Sequence, residues 1–143
     1  MEGQKFAKTK YMRDSRNSHP RIREDSVDIW LVESPMFLTL KRRSDDRDLE
    51  HIAWDNIKNI GPGAVDKKGL STLGMYATWA AGGFDSGYHD GVMVDYWDED
   101  YERNLTVFLK TGGRRASDKL IRILWDKRDY YIAMSGRRGD IRR

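Results

Sequence analysis

"GVMVDYWDEDYERNLTVFLKTGGRRASDKLIRILWDKRDYYIAM", Gly91 to Met134, changes its period halfway along. Val92 and Val94 lead into Tyr96, the acidic "DED" occupies a bend, and "NLTVFLK" returns with β-branched and aromatic residues. That is the pattern of a β-hairpin. After Gly112-Gly113 the apolar residues space out to a helical stripe of Ala116, Leu120, Ile123, Leu124, Tyr131 and Met134. Lys119, Arg122, Asp126 and Arg128 lie largely off that stripe. Ser117 is a capping or first-turn residue and Ser135-Gly136 a stop. A helix this one-sided must cover a sheet face or the open end of a barrel.

Upstream, the strand pattern repeats. "VDIWLVE" (Val27–Glu33) alternates loosely, "SP" makes a tight turn, and "MFLTLKRR" (Met36–Arg43) resumes an extended run. "LEHIAW" sets Leu49, His51 and Ala53 against Glu50, Ile52 and Trp54. In "DNIKNIGPG", Asp55 can cap a short helical turn carrying Ile57 and Ile60, which Gly61-Pro62-Gly63 stops. "GLSTLGMYATWAAGGFDSGYHDG" (Gly69–Gly91) is punctuated by Gly82-Gly83 and Asp85-Ser86-Gly87 into pieces too short for helices. Small residues interleaved with large ones there favour close strand packing, with a bend at Phe84–Tyr88. The fold class expected is α+β, mainly β. It is a curved antiparallel sheet or small barrel of six to seven strands capped by one C-terminal helix.

The totals suit that reading. A chain of 143 residues is long enough for one domain with its own core. Hydrophobic residues make up 38% and charged residues 34%, a soluble profile. Cysteine is absent, which removes disulfides, thiolate metal sites and a cysteine nucleophile, and suits the cytoplasm. No run is apolar enough for a spanning helix, and the first residues lack the apolar core of a signal peptide. The net charge of +3 is unevenly spread: residues 1–24 hold seven Lys/Arg against three acids, and residues 136–143 hold four against one. The expected organisation is a flexible basic arm over 1–25, a domain over 26–135 and a basic tail over 136–143.

Four stretches together resemble the pleckstrin-homology-like (PH/GRAM) superfold, in particular its small bacterial members. They are "VDIWLVESPMFLTLKRR", "LEHIAWDNIKNI", "VMVDYWDEDYERNLTVFLK" and "ASDKLIRILWDKRDYYI". The likeness covers about residues 26–134 and rests on pattern rather than on an invariant motif. It implies a Gly/Ala-rich apolar insertion where residues 69–91 stand. It also implies basic residues around the first hairpin loop if an inositide is bound, yet "VESPM" offers Glu33 and neither Lys nor Arg.

Catalytic constellations are missing. Asp95, Asp98, Glu99, Asp100 and Glu102 crowd one hairpin tip without the glycine and ligand spacing of a calcium loop. His19 falls in the arm, His51 in a strand where a satisfied structural histidine is expected, and His89 beside Asp90. None forms a zinc pair, and neither nucleophile nor phosphate-loop motifs occur. The expectation is a non-enzymatic binding or assembly module, an adaptor without cofactor or metal. It would recognise a protein partner or another copy of itself through Trp79, Phe84, Tyr88 and Tyr76 or along an open strand edge. The alternative is polyanion binding, to nucleic acid or anionic membrane lipid, through the basic termini and Lys41, Arg42, Arg43, Lys67, Lys68, Arg137 and Arg138.

Overall fold

A computed structural model describes residues 3–13, 19–63 and 91–135. Among the described residues seven strands form one curved antiparallel sheet: β1 (Gln4–Met12), β2 (Ser26–Glu33), β3 (Phe37–Arg42), β4 (Asp48–Ala53), β5 (Ile57–Gly63), β6 (Gly91–Asp98) and β7 (Arg103–Lys110). Their order across the sheet is β4-β3-β2-β1-β7-β6-β5, and the helix α1 (Arg114–Met134) closes the chain. The Gly69–Gly91 reading lies outside the described residues, apart from Gly91 itself.

Expectation and structure part first at the N-terminus. The stretch read as a flexible arm supplies β1, which joins the two halves of the sheet by pairing with both β2 and β7. "AKTKY" does alternate: Thr9 and Tyr11 are buried while Lys8 and Lys10 face water. Only one of the inward positions there is strongly apolar, and a register shift between Lys5 and Ala7 breaks the period at Phe6. Thr9 is tolerated inside because its hydroxyl donates to the Lys110 carbonyl at 2.5 Å.

A second correction concerns "DNIKNIG". The helical turn is a single 3-10 turn at Trp54–Asn56, and β5 starts at Ile57. Ile57 and Ile60, three apart, both point inward because the register with β6 shifts between Ile57 and Asn59. A bulge of this kind lets a strand imitate helical spacing. Pro62 is accommodated because β5 is an edge strand.

Helix α1 buries Ser117, Leu120, Leu124 and Ile132, with Ile121, Trp125 and Tyr131 packed beside them. The stripe is therefore rotated from the expected one. Ala116 and Met134 are exposed and Ile123 is only half-buried. Two aromatic contacts set the rotation: Trp54 stacks on Tyr131 with ring centroids 5.4 Å apart, and Trp125 donates its indole N–H to the Ile60 carbonyl at 3.1 Å. Beneath the helix lie Ile29, Leu31, Leu38, Leu40, Ile52, Val92, Val94, Val107 and Leu109, all essentially without exposure. Burying a side chain of this kind is worth about 1.5–3 kcal/mol, so this layer is the main source of stability.

Candidate binding groove

Ahead of β2, His19, Arg21 and Ile22 pack onto residues of the sheet. Ile22 is 1% exposed and belongs to the core. The His19 Nδ1 accepts the backbone N–H groups of Arg21 (3.0 Å) and Ile22 (3.3 Å), so the ring proton sits on Nε2. Nε2 lies 2.7 Å from the Tyr96 hydroxyl and 3.1 Å from Glu50 Oε2. Tyr96 in turn donates to Glu50 Oε2 at 2.7 Å, and Arg21 donates to the same oxygen at 2.8 Å. A second nitrogen of Arg21 reaches Asp98 Oδ1 at 2.5 Å and Asp100 Oδ2 at 3.1 Å.

These groups form a clasp between the β1–β2 connection, β4 and β6. Burial pushes the Glu50 carboxyl up, but its hydrogen bonds with His19 and Tyr96 and the Arg21 charge outweigh that. It is held below its ordinary value. Burial, with the adjacent Glu50 charge, drives the Tyr96 phenol far above its ordinary value. Glu50 is thus an ionised acceptor and Tyr96 a neutral donor. His19, read from the sequence as an arm residue, is buried here. His51, read as a structural histidine, has a half-exposed side chain that meets Thr39 Oγ1 at 2.9 Å and the Phe37 ring edge-on.

Next to the clasp runs a groove of about 610 Å³, bounded by β4, the Met36–Phe37 corner and the β6–β7 turn. Met36, Phe37 and Trp97 line it, and all three are among the exposed large apolar side chains of the described residues. Asp48, Glu50, Asp55, Asp98, Glu99 and Asp100 face it against the single guanidinium of Arg21. The groove thus combines exposed apolar side chains with an excess of acidic ones.

Some backbone groups on both edge strands have side-chain partners. On β4 the His51 amide is taken by Glu50 Oε1 at 3.0 Å. On β5 the Ile60 amide is taken by Asn59 Oδ1 at 2.9 Å, and helix side chains Trp125 and Arg128 bond the Ile60 and Ile57 carbonyls. Occupied edge groups discourage strand addition.

Of the sequence-derived sites, Trp79, Phe84, Tyr88, Tyr76, Lys67, Lys68, Arg137 and Arg138 lie outside the described residues. Lys41 is engaged with Asp48 at 2.7 Å, and Arg42 with Asp45 at 2.8 Å and with Glu24. The Arg42 bond holds the Asp45 carboxyl down at about 2. Arg43 instead turns to the Trp30 ring, 5.5 Å from its centroid. Among the described residues no group of three or more His, Asp or Glu is placed to hold a metal ion, and no helix is long and apolar enough to cross a membrane.

Sheet order, curvature and closing helix together define a PH-like fold. A solved structure shares it: the complex of PDZ-RhoGEF DH/PH domains with GTP-gamma-S activated RhoA, with a TM-score of 0.54 at 8% identity. The match covers 90% of this chain and 30% of that one, so the likeness is one of fold. No protein-family model matches the sequence, and no curated protein does.

Proposed function

We propose that the chain is a non-enzymatic binding module that takes a segment of a partner protein into the groove between β4 and the β6–β7 turn. One observation carries the reading: the adjacent pair Met36 and Phe37 and the sequence-distant Trp97 converge on one groove whose lining is rich in acids. Exposed aromatic side chains in a concave site are the usual anchors of protein recognition. Charge complementarity selects a partner segment that carries Lys or Arg beside apolar residues. The acidic side chains lining the groove would repel phosphates, which argues against an inositide there. That the structurally similar DH/PH domains are themselves found in a protein complex is in keeping with this use of the fold. A cysteine-free chain is consistent with action in the cytoplasm.

The test places a photo-crosslinking residue at position 37 of the full chain in its native host. The expected result is one dominant adduct through a basic, apolar segment, lost when Trp97→Asp is added, with none from a crosslinker at Thr106. An adduct indifferent to Trp97→Asp, or equally strong from Thr106, would contradict the reading. An adduct with a second copy of this chain would replace the partner protein by self-association.

A further inference from the structure

The outer face of β1, β2 and β3 carries a surface of opposite character. Trp30 on β2 stands directly across from Lys8 on one side and Lys41 on the other. The Lys5 and Lys8 ammonium groups lie 4.9 and 5.3 Å from its ring centroid, and the Arg43 guanidinium 5.5 Å. The side chains of Lys8 and Arg43 have no ion-pair partner among the described residues. Lys5 and Lys10 have only exposed ones, Asp46 at 3.4 Å and Asp28 at 3.8 Å. Beside the indole is a depression of about 460 Å³ lined by Val27, Asp28, Trp30, Arg42, Arg43 and Ser44.

We propose that this face binds single-stranded nucleic acid, with one base entering the depression against the Trp30 indole and the flanking phosphates on Lys5, Lys8 and Arg43. An aromatic ring framed by cations is the arrangement that serves single strands, because each base presents a face for stacking and each linkage a charge. The lysines reach the ring on long flexible stems and can swing aside to meet phosphates. Lys8 and Lys10 point the same way, about 7 Å apart along the strand. Two features favour a nucleic acid over an anionic membrane. Of the most exposed apolar side chains among the described residues, only Phe37, at the start of β3, belongs to these three strands, so this face has little to insert into lipid. Asp28 and Ser44 in the depression offer acceptors to the N–H groups of a base edge, groups that a lipid phosphate does not present.

The experiment is fluorescence anisotropy of labelled single-stranded DNA and RNA of about 12 nucleotides, a length suited to such sites, with the full chain. Duplex DNA and phosphatidylserine vesicles are the comparison ligands. The single strand is expected to bind best, with affinity falling about 20-fold between about 50 and 200 mM salt if about three phosphates are neutralised. Trp30→Leu is expected to weaken it about tenfold, and Lys8→Glu with Arg43→Glu to abolish most of it. Because those two side chains lie at the surface, the double variant reports even if Trp30→Leu fails to fold. Lys119→Ala, which removes an exposed cation of α1 rather than of this face, is expected to leave single-strand binding unchanged. The proposal is overturned if no single strand binds, or if binding is unaffected by Trp30→Leu in a folded protein. Vesicles or duplex bound as tightly as the single strand would overturn it too.

Discussion

Glu50 shows how one residue can join fold and site. Its Oε2 accepts from Tyr96 and Arg21 with His19 Nε2 nearby, and its Oε1 occupies the His51 amide on the sheet edge. Replacing it by Gln keeps the shape and removes the charge opposite Arg21. Disrupting a buried, hydrogen-bonded charge is expected to cost about 3 kcal/mol, read as a lower urea midpoint at neutral pH. The pH dependence has a defined sign. Because the folded carboxyl is held below its ordinary 4.5, its contribution is present above that value and is lost as pH falls through the depressed one. Stability of the native protein should therefore decline on acidification below about 4.5, and the Glu50→Gln protein should show a shallower decline over that window. Parallel acid limbs would contradict the assignment. In the groove, Trp97→Ala is expected to weaken the crosslinked partner by about 2 kcal/mol, roughly 30-fold, without moving the urea midpoint.

Among the elements, the pair of β5 and β6 offers a sharp test of packing. Gly63 and Gly91 stand opposite each other in the register. A Cβ at Gly91 would come within 2.3 Å of Phe108 Cζ and 2.9 Å of the Leu109 carbonyl oxygen. The ring could turn, but the backbone oxygen is fixed by its own strand. Gly91→Ala is therefore expected to destabilise by about 1–3 kcal/mol in urea denaturation, the range for overpacking, and an unchanged midpoint would show the approach to be looser. On α1, Leu124→Ala should cost about 2–5 kcal/mol, while Ile123→Ala, half-buried, should cost less. That order distinguishes the observed stripe from one centred equally on both residues. The hairpin at β6 and β7 and the helix were legible because their patterns are long and their turns carry acids or glycines. The β5 bulge was not, since a shift between Ile57 and Asn59 gives two isoleucines the spacing of a helix.

For the molecule as a whole, sequence order hid what the topology brings together. Met36 and Phe37 lie far from Trp97 in the chain, Lys5 lies apart from Trp30 and Arg43, and each set meets only when the strands assemble. Neither surface could be read from neighbouring residues, whereas the PH-like pattern of strands and closing helix could. The largest departure is at the start of the chain. A basic segment with little apolar content is β1, because its lysines lie on the outer face and its few inward residues suffice for a strand that both neighbours hold. That strand therefore holds the two halves of the sheet together. The direct measurement is urea denaturation, followed by circular dichroism, of the chain lacking residues 1–12 beside the full chain. Loss of the cooperative transition is predicted, because β2 and β7 would each lose their shared partner. A truncated chain that unfolds cooperatively at the same midpoint as the full one would contradict the account.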